Sequence, residues 1–146
     1  MLRVAVPNKG ILSETALLML KEAGYAVRRD PKDLHVIDSK HDIEFFYLRP
    51  RDIATYVGEG SLDAGFTGLD LLRDSRSKAV AVADLRFGES TFRFAGPVGK
   101  FKALSELGGL RVATAYPNLV SDFLSEQGVS ATVVQLDGAV ESAVKL

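Results

Sequence analysis

Five short turns carry the residues whose types could do chemistry. "VPNKG" offers Asn8, a cationic Lys9 and a Gly10 that permits close backbone approach. That combination suits a phosphate or carboxylate contact, and it equally describes an exposed loop with a lysine in it. "FFYLRPRDI" ends an apolar run with Arg49 and Arg51 beside Asp52. A guanidinium at a strand end suits bidentate phosphate recognition, which fits Arg49 better, while an ion pair with Asp52 accounts more simply for Arg51. "FTGLDLL" places Gly68 and Asp70 where a carboxylate either binds a ribose hydroxyl or caps a helix. "TAYPNLV" adds Tyr116, a ring that could stack on a base or sugar or serve packing alone. "LDGAVE" sets Asp137 and Glu141 around a helix start, where the helix dipole explains both without a ligand.

Other chemistries are excluded or disfavoured. The chain has no cysteine, which removes disulfides, thiolate nucleophiles and zinc-thiolate sites and fits a reducing compartment. His35 and His41 lie six apart across a strand and turn, with no third ligand paired to them, so no protein-held metal is expected. Neither a GxxxxGK[ST] loop nor a GxGxxG turn occurs. The 146 residues are 47% hydrophobic and 25% charged, with a formal net charge of -1, so neither nucleic acid nor an anionic membrane is an expected partner. No apolar stretch approaches about 18 residues, and no leader pattern opens the chain, so a cytoplasmic protein is expected.

The elements that must position these turns alternate between strand and helix signals. Leu2 to Val6 is a β-branched strand, after which Ser13 can cap a helix running to about Ala23, with Gly24 as its stop. Candidate strands follow at Ala26 to Arg29, Leu34 to Ile37 and Ile43 to Leu48. A helix opens at Pro50 and ends near Gly58 and Gly60. "LDAGFTG" is a short buried strand that opens into a helix from Leu69 to about Arg73, and Ala79 to Leu85 and Ser90 to Val98 are two further strands. The pattern predicts an α/β fold with a mixed, mostly parallel sheet covered on both faces.

An internal echo divides the chain. "LRVA" at Leu2 recurs at Leu110, and each copy leads through a Pro-Asn turn into a helix, a glycine stop (Gly24, Gly128) and a strand. Two similar lobes are expected, 1 to 90 and 91 to 146. In the second, a helix from Gly138 onward is the last element, so a third strand is expected to be missing and that lobe to be incomplete.

At these same residues the chain resembles the ATP phosphoribosyltransferase family, most closely its long-form members. The motifs, in fixed order, are "LRVAVPNKGILSE", "DLHVID", "FFYLRPRDIATYVGEGSLDAGFTGLDLL", "FRFAGP", "LRVATAYPNLV" and "LDGAVESAV". The resemblance implies a two-lobed fold like that of the type II periplasmic binding proteins and the first reaction of histidine biosynthesis. In that reaction N1 of the adenine of ATP displaces pyrophosphate from C1′ of phosphoribosyl pyrophosphate, with Mg2+ carried by the substrate phosphates. It implies Lys9 and Arg49 as the catalytic cations. Gly10, Asp70 and Leu71 join them at the nucleotide, and Lys32 adds a cation. Tyr116, Pro117 and Asn118 contribute from the second lobe, and Asp137, Gly138 and Glu141 lie near the ribose. It also implies a homo-oligomer and histidine as feedback inhibitor through a C-terminal regulatory domain.

Members of that family continue past the last motif with a further strand and a Gly-Thr-rich loop for the 5′-phosphate. Neither that loop nor the regulatory domain is in these 146 residues, so the chain alone is expected to have little transferase activity. The competing reading is a non-catalytic two-lobed module that binds a small anion or nucleotide.

Overall fold

The computed structural model describes residues 1–145 of the chain. Two compact units divide it, one from Met1 to Glu89 and one from Ser90 onward. The first contains a four-stranded sheet in the order β2-β3-β1-β4. Its elements are β1 (Leu2–Pro7), α1 (Ile11–Glu22), β2 (His35–Asp38), β3 (Ile43–Leu48), α2 (Pro50–Gly58), β4 (Ala64–Gly65) and α3 (Leu69–Ser75). β1 pairs in parallel with β3 on one side and β4 on the other, and β2 is antiparallel to β3. The sheet is therefore mixed and mostly parallel, as the alternating pattern implied.

The continuous apolar run of β1 follows from burial on both faces. Val4 and Val6 turn to one side and pack with Ala16 and Leu20 of α1 and with Phe45 and Tyr47 of β3. Ala5 turns to the other side and packs with Ile53 of α2 and with Leu62. The alanine is small because Gly65 passes close on β4. A Cβ on Gly65 would lie 3.2 Å from the Ala5 Cβ and 2.5 Å from Ile53 Cγ2.

The second unit holds β5 (Arg111–Thr114), α4 (Pro117–Glu126) and β6 (Thr132–Gln135), with a short 3-10 helix before β5 (Leu104–Leu107) and another after β6 (Val140–Lys145). β5 and β6 pair in parallel, in register from Arg111 with Thr132 to Thr114 with Gln135. The echo is real through its first four steps. Strand, turn and helix recur, and both stop glycines take the left-handed backbone, Gly24 at φ 86° and Gly128 at φ 69°. It breaks at the fifth step, because only the second copy continues into a strand.

Five expectations fail. Ala26 to Arg29 is irregular, since its backbone donors are taken by side chains: Ala26 N–H by Asp38 Oδ2 at 2.8 Å and Arg28 N–H by the Tyr47 hydroxyl at 3.0 Å. Ala79 to Leu85 and Ser90 to Val98 have strand-like composition and form no ladder with any described residue. Val80, Val82 and Val98 stand in solvent at 77%, 90% and 105% of full exposure. Ser13 is no cap. It lies buried inside α1, and Gly10 holds the cap position at φ 80°, where a side chain would be strained. The helix expected from Gly138 onward is the 3-10 segment Val140–Lys145, and its expected end at Leu146 lies outside the described residues.

Candidate functional site

The sheet register brings three of the turns to one edge of the first unit. Asn8 N–H donates to Leu48 O at 2.7 Å, continuing the β1–β3 ladder past its last paired residues. Lys9 and Arg49 are the next residues on these adjoining strands, and both are exposed. Arg49 occupies the N-cap position of α2 with Pro50 at the first helical position, so its extended backbone is the conformation that a residue before proline prefers. On the far side of β1, Phe66 N–H donates to Ala5 O at 3.0 Å, and Thr67 Oγ1 donates to Pro50 O at 2.9 Å. These bonds set the turn of Gly68, Asp70 and Leu71 beside the start of α2.

Asp70 acts at its helix from within the first turn. Gly68 is the cap residue, and the Asp70 Oδ1 accepts the Leu71 N–H at 2.8 Å. Arg51 does not pair with its neighbour Asp52; its Nη1 reaches the buried Asp74 Oδ2 at 2.9 Å and ties α2 to α3.

Lys9 and Gly10 line a hollow of about 330 Å3 between the start of α1 and the segment from Arg28 to Pro31. Its ionisable lining is Lys9, Arg28 and Arg29 against Glu14 and Asp30, so the hollow is locally cationic in a chain of net charge -1. No side chain caps the first turn of α1, which leaves the helix N-terminus available to an anion there. The Asn8 Oδ1 is buried without a hydrogen-bond partner. Lys32 does not line this hollow, and its backbone N–H donates to Asp30 Oδ1 at 2.8 Å.

Sequence reasoning missed Arg28. Its guanidinium lies over the Tyr47 ring, 4.5 Å from the centroid, and donates to the carbonyls of Asn8 and Pro31. The local signal is only the arginine pair in "VRRDP", and the strand-like composition of the segment masks it. Tyr47 is almost fully buried, and desolvation raises its hydroxyl pKa, so the phenol stays neutral and accepts the Arg28 N–H.

In the second unit, Thr114 and Gln135 are the last paired residues of β5 and β6. Tyr116, Pro117 and Asn118 follow the first of these strands, and Asp137, Gly138 and Glu141 follow the second, so all six stand at the carboxyl edge of the two-stranded sheet. Tyr116 is the cap residue of α4, with Pro117 at the first helical position, and its N–H donates to Thr114 Oγ1 at 3.0 Å. Its ring meets Phe92 edge to face at 4.9 Å, so packing takes part of the aromatic surface. Asp137, Gly138 and Glu141 are exposed, and Asp137 Oδ1 accepts from Gln135 Nε2 at 3.4 Å. A larger hollow of about 430 Å3, lined by Phe94 to Gly99 and Phe101 to Leu104 with Leu107, holds none of the anticipated residues.

Among the described residues no group of three or more His, Cys, Asp or Glu is placed to hold a metal ion. No described helix is long and apolar enough to cross a membrane.

The family model described as "HisG: ATP phosphoribosyltransferase" matches residues 49–146. Curated relatives named ATP phosphoribosyltransferase match the whole chain. Those of Paenarthrobacter aurescens and Salinispora tropica are each 60% identical over 146 residues, and that of Corynebacterium efficiens is 57% identical. The chain covers 51% of the first of these and 52% of the other two, so it spans about half the length of the curated relatives it matches. Among solved structures, a chain of an ATP phosphoribosyl transferase (HisG:HisZ) complex from Thermotoga maritima is similar with a TM-score of 0.72 and 28% identity. That match covers 99% of this chain and 68% of the other. With the family model covering two thirds of its length and its strand-to-helix turns aligned on sheet edges, the chain belongs to the HisG family of ATP phosphoribosyltransferases.

Proposed function

We propose that the protein to which this chain belongs transfers the phosphoribosyl group of phosphoribosyl pyrophosphate to N1 of the adenine of ATP, the first step of histidine biosynthesis. The N1 lone pair forms the new bond to C1′ as the C1′–O bond breaks, and the electron pair leaves on pyrophosphate. Positive charge gathers on the sugar and negative charge on the departing oxygens, so the enzyme's work is orientation and electrostatic stabilisation. Lys9 and Arg49 are assigned to the leaving-group charge. Gly10, Asp70 and Leu71, with Lys32 as a further cation, are assigned to substrate binding in the first unit. Tyr116, Pro117, Asn118, Asp137, Gly138 and Glu141 are assigned to it in the second.

The observation that carries this reading is the shared edge: Lys9 and Arg49 follow paired residues of adjoining parallel strands, with the Asp70 turn on the third strand. Ligands of open α/β sheets sit at such carboxyl ends. Mg2+ is taken as part of the substrate complex, bound to phosphate oxygens; the described acids form no cluster that would hold it as a resident ion. The two-lobed periplasmic-binding-protein architecture, a homo-oligomer, a cytoplasmic location and feedback by histidine belong to the same proposal.

Two measurements test it. Titration calorimetry of the chain should show ATP binding, and the absence of any adenine-nucleotide binding would remove the nucleotide assignment. Replacing the matching half of the Paenarthrobacter aurescens relative with these 146 residues should yield a chimera that releases pyrophosphate from the two substrates. A folded chimera without that release would sink the transferase reading.

A further inference from the structure

We propose that Arg28 is a positioning residue, fixing Asn8 and Lys9 so that the hollow beside them receives a phosphorylated sugar; this rests on the substrate-site reading above. The guanidinium bridges two backbone carbonyls from different segments. Its Nη1 donates to Pro31 O at 3.0 Å and its Nη2 to Asn8 O at 2.5 Å. Its plane is held against Tyr47, which is itself buried in the main core, and the Arg28 N–H is bonded to the Tyr47 hydroxyl. The turn carrying Lys9, already joined to β3 by the Asn8 N–H to Leu48 O bond, thus gains from Arg28 a second tie, to the segment of Pro31 and to Tyr47. A lysine has the charge but a single nitrogen, and it cannot hold the two carbonyls with this planar fork.

What is held suggests the ligand class. Lys9, Arg29 and the uncapped start of α1 favour an anionic group in the hollow. The buried, unpartnered Asn8 Oδ1 is an acceptor in want of a donor, which the several hydroxyls of a sugar supply in more than one direction, while a phosphate dianion has only its single P–OH to offer. One small molecule with both groups is a ribose phosphate.

The test titrates the 146-residue chain with ribose 5-phosphate and with inorganic phosphate, following the amide NMR signals of Lys9 and Gly10. Ribose 5-phosphate is expected to bind at least about tenfold more tightly than phosphate and to shift both amides. In Arg28→Lys and Arg28→Met, with the wild-type far-UV circular dichroism retained, that preference is expected to vanish and the two amide signals to broaden or move. If the wild-type chain binds neither compound, the substrate-site reading of the hollow fails. If it binds ribose 5-phosphate and Arg28→Lys binds it equally well, the site stands and the positioning role of Arg28 is overturned, since charge alone would then suffice. Should Arg28→Met not fold, Arg28→Lys decides.

Discussion

The Asp38 carboxylate joins two segments through one oxygen: Oδ2 lies 2.8 Å from His41 Nδ1 and accepts the Ala26 N–H at 2.8 Å. The Ala26 bond, with help from His41, holds the Asp38 pKa at about 2, below its ordinary 3.8. A carboxyl with a depressed native pKa contributes stability that is fully present above its unfolded value and is lost as pH falls through the native one. Urea midpoints of the wild-type chain should therefore fall more steeply than those of Asp38→Asn between about pH 3.8 and about 2. Parallel pH profiles for the two proteins would show that the bond network contributes nothing to acid stability.

Gly65→Ala should destabilise the first unit by about 1–3 kcal/mol, because the new methyl runs into the buried side chains of Ile53 and Ala5, although Gly65 itself is exposed. Urea denaturation measures it, and an unchanged midpoint would mean that β4 shifts freely.

Tyr47→Phe keeps the buried ring and removes the hydroxyl that accepts the Arg28 N–H. The expected loss is about 1–2 kcal/mol from an unsatisfied donor. Amide exchange should single out Arg28 as the newly unprotected position.

Lys9→Ala and Arg49→Ala, at exposed positions past the paired strands, should leave the melting temperature within a degree or two and weaken ATP or phosphoribosyl pyrophosphate binding about tenfold each. Calorimetry on the two variants checks this, and unaltered affinity in both would detach these cations from the substrate.

The legible parts of the fold were those decided by local chemistry. β1, β3, α2 and α3 could be read because apolar runs, Pro50 and the glycine stops each act within a few residues. Ala26 to Arg29 could not, because its donors are claimed by Asp38 and Tyr47, partners 12 and 19 residues away. Strand-like composition at Val80 and Val82 or at Phe92 and Phe94 states a preference, and a ladder also needs a neighbour that composition does not name. Lys9, Arg49 and Asp70 were found from turn chemistry, and their common edge follows from the register of β1 with β3 and β4. Arg28 was not legible because its role depends on Asn8 and Tyr47, which lie 20 and 19 residues away in the sequence.

The pairing of Leu2 with Ile43 has a consequence for synthesis. β1 is made first and lies at the centre of its sheet, yet both of its neighbours are encoded far downstream, with β4 supplying the second only at Ala64. At ribosomal rates the central strand spends on the order of seconds with both edges open, and closing those loops precedes any gain from pairing. Residues Val4 to Val6, the most buried stretch of the finished sheet, are thus the stretch of the nascent chain that waits longest for cover.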